Sequence, residues 1–145
     1  MKNTALFIAL FTLFALISAA CGTAGSGNSA PPAGKTIVGG PAGNNLTATL
    51  ANADGAFKKG KQEFTLTFTD ASGKPVDVGS TALNFRMPAM GSMAEMNSGA
   101  TFTTTGTPGA YKGKVDLEMG GEWIAQITYE GPAGKGAFTL TIVAK

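Results

Sequence analysis

Residues 62–70 read QEFTLTFTD, and this stretch decides the fold. Phe64, Leu66 and Phe68 alternate with Thr65, Thr67 and Thr69. A two-residue period puts one set on each face of a β-strand. Threonine and aromatic residues suit such a pleated, half-buried surface. The same alternation recurs downstream. TALNFRM sets Leu83, Phe85 and Met87 on one side, and YKGKVDLEM sets Tyr111, Val115, Leu117 and Met119, with Gly113 in register. WIAQITY gives Trp123, Ala125, Ile127 and Tyr129, and AFTLTIV gives Phe138, Leu140 and Ile142. LTATL and ATFTT supply two shorter strands. Turn residues separate these runs at Asp70–Pro75, Thr107–Gly109, Gly120–Gly121 and Gly131–Gly134. No long helical pattern interrupts them. About seven short strands with regular turns predict an all-β chain, an immunoglobulin-like antiparallel β-sandwich with Trp123 at its centre.

The chain has 145 residues, room for one domain. It opens MKNTALFIALFTLFALISAAC, with Lys2, an apolar run from Ala5 to Ile17, then small residues. That is the layout of a secretory signal over residues 1–20. A membrane-spanning helix is the rival reading. Ser18, Ala19 and Ala20, and the polar stretch after them, favour cleavage. Cys21 is the only cysteine, so an internal disulfide is excluded. Small residues followed directly by cysteine resemble a bacterial lipobox, which implies lipidation of Cys21. An ordinary signal peptide cleaved near Ala20 is the competing reading. Both predict export to the bacterial cell envelope, and the first adds membrane attachment through lipid. Residues 21–45 are rich in Gly, Ala, Ser and Pro, with only Ile37 and Val38 large and aliphatic. Such a stretch reads as a flexible tether, leaving residues 46–145 as the domain.

Composition narrows the chemistry. The net charge of +2 falls to about +1 once Lys2 is removed with the signal. A nearly neutral chain offers no electrostatic case for binding nucleic acid, and a monomer is expected. There is no histidine. This removes the commonest general base, the Ser-His and Cys-His pairs, and every His-ligated zinc, iron or blue-copper site. Asp70, Asp77, Asp116, Glu118 and Glu122 read as surface charge. No glycine loop carries a phosphate-binding ending. No catalytic residue is assigned, and enzyme activity is not expected.

The methionines are the unusual feature. Residues 87–96 read MPAMGSMAEM and place Met87, Met90, Met93 and Met96 at intervals of three. A thioether is a soft, neutral ligand, so a methionine cluster selects Cu(I) or Ag(I) over harder ions. In an α-helix the row would drift by about 60° per step. Pro88 holds Met87 extended, and Gly91-Ser92 breaks any helix. The segment therefore reads as an irregular loop at one rim, with two or three sulfurs converging. Packing competes with this reading, because methionine is a flexible apolar filler. Met87 continues the Leu83–Phe85 face, and Met119 the Val115–Leu117 face. Met90, Met93 and Met96 belong to no strand pattern and fit either a Cu(I) site or an apolar docking patch.

The ordered set of motifs resembles the YtkA-like family, related to FixH-type domains. The set is Gly73-Lys74-Pro75, then Phe85-x-Met87-Pro88-x-Met90, then Pro108-Gly109-x-Tyr111, then Leu117-x-Met119-x-Gly121-x-Trp123. The resemblance covers about residues 46–145. It implies a small exported or membrane-anchored immunoglobulin-like domain, in settings that suggest copper handling or heavy-metal efflux. A Cu(I)-binding methionine segment would buffer the metal or hand it to a membrane transporter or metallochaperone partner, whereas a docking patch would seat a transporter or an oxidase assembly factor without metal. Met87, Pro88 and Met90 match the family's MPxM element, Met93 roughly matches a further methionine, and Met96 is less regular. The missing histidine departs from many periplasmic copper carriers. A methionine-only site would hold Cu(I) rather than Cu(II).

Overall fold

A computed structural model describes residues 34–145. The expected signal peptide, the lipidation at Cys21 and the tether up to residue 33 lie outside the described residues. The described chain is all β, in nine strands: β1 (Lys35–Gly43), β2 (Leu46–Asn52), β3 (Gly60–Thr69), β4 (Ser80–Met87), β5 (Met96–Gly99), β6 (Thr101–Thr104), β7 (Ala110–Leu117), β8 (Gly121–Gly131) and β9 (Gly134–Ala144). They form two antiparallel sheets, ordered β1-β2-β3-β7-β6 and β5-β4-β8-β9.

The alternation read from the sequence is the burial pattern. Phe64, Leu66 and Phe68 of β3 are buried, as are Leu83, Phe85 and Met87 of β4 and Trp123, Ala125, Ile127 and Tyr129 of β8. These faces meet between the sheets as one core. Phe57, Phe64 and Phe85 form an edge-to-face triangle with ring centroids 5.2–6.0 Å apart, the arrangement aromatic quadrupoles favour. Gly113 sits in register because a β-carbon there would lie 2.3 Å from the Phe64 ring. One core polar atom, the Thr67 hydroxyl, is buried without a hydrogen-bond partner.

Two strands exceed the expected seven, and each corrects a boundary. The first is β1, which occupies part of the expected tether. It pairs antiparallel with β2 from Lys35↔Asn52 to Gly43↔Leu46. Asn44 and Asn45 both take positive φ, 51° and 58°, which makes a two-residue primed hairpin turn. The glycines that suggest a tether are packing devices: a β-carbon on Gly40 would lie 2.7 Å from Leu140 Cδ2 of β9. Pro41 is tolerated because β1 is an edge strand. The Tyr129 hydroxyl, from the other sheet, donates to the Ala42 carbonyl at 3.1 Å and accepts from Asn44 Nδ2 at 3.0 Å. The folded unit therefore begins by Lys35 rather than at residue 46.

The second is β5. Residues 96–99 pair with β4, and after Ala100 the chain crosses to the other sheet as β6, beside β7. The Ala100 N–H donates to the Leu83 carbonyl at 2.9 Å, pinning the crossing. Met96 thus belongs to a strand, not to a loop.

Candidate functional site

The methionine segment forms the tip of the β4–β5 hairpin. Met87 is the last residue of β4 and pairs with Met96, the first of β5. Beyond them Met90 and Met93 form a second pair, joined by two backbone hydrogen bonds of 3.1 and 2.9 Å. Gly91, at φ 59°, and Ser92 make the two-residue turn between them. Glycine is suited to that first turn position. Both pairs are centred on the Gly91-Ser92 turn. The interval of three is thus the symmetry of a hairpin and not one face of a helix or of polyproline II. Instead of an irregular loop, the tip is a paired turn.

The four sulfurs separate by burial. Met87 is 1% exposed and lies in the core, near Gly121, where a β-carbon would come within 3.1 Å of the Met87 methyl. Met96 is partly buried against the core. Met90 and Met93 are 54% and 39% exposed. Directly opposed residues of an antiparallel pair project their side chains to the same side, with Cα atoms about 5.5 Å apart in a hydrogen-bonded pair. Two long, flexible thioethers on that footing can reach one point. Residues 88–94 are all exposed and carry no charge. Met119, just after β7, is partly buried against the core.

Polar groups brace the stem of the hairpin. Arg86 of β4 donates to Glu95 at 2.6 Å. The Asn97 amide donates to the other Glu95 oxygen at 3.1 Å. These two hydrogen bonds, the arginine's first, hold the Glu95 carboxyl below the usual carboxylate range. The brace spans the break that Pro88 makes in the ladder, where the chain leaves β4.

The remaining carboxylates do structural work or face solvent. Asp70 accepts from the Ser72 and Lys74 backbone and closes its turn. Asp77 accepts from the Gly79 N–H at 2.8 Å and the Tyr111 hydroxyl at 3.1 Å. Burial first, and then this carboxylate, push the Tyr111 hydroxyl pKa up. Asp116, Glu118 and Glu122 are exposed. Among the described residues no three His, Cys, Asp or Glu side chains group in a way that could hold a metal ion. Any metal reading therefore rests on the thioethers.

Sequence reasoning missed two parts of this site. Neither Arg86 nor Glu95 was singled out, although each stands next to a methionine of the Met87/Met96 pair. Pairing residues symmetrically about Gly91-Ser92 sets Arg86 opposite Asn97, and Glu95, two residues from Asn97, then lies within diagonal reach of Arg86. Phe57 was also missed, a lone aromatic in a polar run. It is fully buried and closes the core at this end.

A family model described as YtkA-like matches residues 42–128, more than half of the chain. The matched span runs from the end of β1 into β8 and contains the whole methionine hairpin. No curated protein matches the chain.

Proposed function

The chain belongs to the YtkA-like family, and we propose that this member is an exported, lipid-anchored β-sandwich that binds Cu(I) or Ag(I) at its methionine hairpin. Its role is to buffer the metal or pass it to a membrane transporter or metallochaperone. One observation carries this reading. Met90 and Met93 face each other across a hydrogen-bonded two-residue turn, and both are exposed. Core packing does not account for two solvent-facing thioethers held opposite one another. They are the first ligands. Met96, half-buried at the start of β5, is the third. Met87 is the buried base of the site and reaches a metal only if the Met87–Met96 pair opens. A site with neutral sulfur donors and no imidazole favours a soft monovalent ion.

A second reading rests on the same exposure. Met90 and Met93 are two of only three large hydrophobic side chains exposed among the described residues, the third being Val143. An exposed apolar tip also suits docking to a transporter or an oxidase assembly partner without metal. Leucine separates the two, because it keeps apolar bulk and removes sulfur. Cu(I) titration under reducing conditions against a chromophoric chelator is expected to show competition by the native protein. Met90→Leu with Met93→Leu is expected to weaken that competition at least tenfold. Equal competition by both proteins, or none by either, would reject the metal reading and leave the docking one.

A further inference from the structure

The methionine hairpin lies at the end of the sandwich where the chain arrives from Cys21. A series of contacts establishes this. Lys35, which opens β1, packs on Gly55, where a β-carbon would lie 3.0 Å from Lys35 Cβ. Two residues on, Phe57 bridges Ala144, the last residue of β9. Ala144 pairs with Gly121 at the start of β8, and Gly121 abuts Met87. From Met87 the hairpin continues outward to Met90 and Met93. The turns at Asp70–Lys74, Thr105–Gly109 and Gly131–Gly134 lie at the opposite end.

Distances make this placement matter. Cys21 and Gly34 are about 13 residues apart, a span of at most about 45 Å along the chain. β9 has 11 residues and is about 36 Å long. The attachment point travels with the methionine end whatever path the linking residues take. The opposite end is farther from Gly34, where the linking residues enter the domain, by nearly the length of β9. The tip at this end is a projecting turn with exposed thioethers and no charge from residue 88 to residue 94. Tethering makes a weak apolar contact intramolecular and so strengthens it without enlarging the surface.

We propose that the Met90–Met93 tip rests on the lipid bilayer that holds Cys21, with its thioethers at the headgroup–acyl boundary. This rests on the lipid-anchor part of the proposed function, not on its metal part. A metal held at the tip would then be presented at the membrane surface.

The test uses the full acylated protein in phosphatidylethanolamine–phosphatidylglycerol vesicles. Lipidation converts the Cys21 thiol to a thioether, so a single introduced cysteine can carry a fluorophore. Ser92→Cys places it in the tip, and Thr107→Cys at the opposite end. Lipids brominated in their acyl chains are expected to quench the label at position 92 several-fold more than that at 107. Met90→Ser with Met93→Ser should abolish most of the difference, whereas the double leucine variant should keep it while losing Cu(I). Equal quenching at the two positions on acylated protein would overturn this inference alone. Energy transfer between tips of neighbouring copies, in place of lipid quenching, would assign the tip to a second copy and also overturn it. A mass spectrum without acyl chains on Cys21 would overturn the anchor reading and this inference together.

Discussion

A chain that starts at Leu46 is expected to be less stable than one that starts at Gly34 by at least about 3 kcal/mol, and to associate as concentration rises. Residues 34–45 look dispensable by composition, yet β1 closes one side of the sandwich. Its loss removes the buried Ala42 and the half-buried Ile37 and Val38 from the core, at about 1–2 kcal/mol for each larger side chain. It also takes away the Ala42 carbonyl that accepts from the Tyr129 hydroxyl, costing about 1 kcal/mol or more for a buried group left unpaired. β2 becomes an open edge whose sequence, LTATLAN, carries no charge or proline to block pairing with another copy. Urea unfolding of the two chains, with sedimentation at two concentrations, measures both effects. Equal midpoints would show that β1 is an ornament on a core that begins at β2.

Trp123→Ala is expected to cost about 3–5 kcal/mol, the range for deleting a fully buried large aromatic, against a total stability of about 5–15 kcal/mol for such a domain. Trp123 is 0% exposed, and its indole N–H donates to the Met119 carbonyl at 3.1 Å. That bond fixes the Met119–Gly121 connection, and Gly121 in turn touches Met87. Trp123→Phe separates the contributions: it retains most of the apolar volume and removes the donor. It should cost less than the alanine variant and move the methyl NMR resonances of Met119 and Met87 while leaving Met90 and Met93 in place. Movement of the Met90 and Met93 signals as well would show that the tip depends on the core rather than on its own turn and brace.

These two predictions mark where the sequence was transparent and where it was not. The buried faces of β3, β4, β7, β8 and β9 were legible because an apolar or small residue recurs there at every second position. β1 was not legible. KTIVGGPAG lacks that alternation, and the demand for small residues comes from Leu140, a residue of β9 about a hundred positions away in the chain. β5 was hidden for another reason. Four residues, MNSG, are too few to show a period, and a row of methionines spaced by three fits no strand alternation, so the segment reads as an irregular loop. The structure converts that row into two opposed pairs, Met87 with Met96 and Met90 with Met93. The crossing at Ala100 was likewise invisible, since alternation states which face a residue takes but not which sheet receives it. Within the candidate site, the inward course of Met87 was legible from Leu83 and Phe85. The exposure of Met90 and Met93 together on one turn was not, because it depends on the register beyond Pro88.

If the sulfurs at the hairpin tip hold a monovalent soft metal, they must appear in its first coordination shell. X-ray absorption at the copper edge on the Cu(I)-loaded chain measures the ligands themselves. The expected result is a Cu(I) edge with a first shell of two or three sulfurs at about 2.3 Å, by analogy with metal–thiolate bonds. The sulfur shell should disappear when Met90 and Met93 are both leucine. A first shell of oxygen or nitrogen, or copper that washes out of the native protein on buffer exchange, would contradict the metal reading.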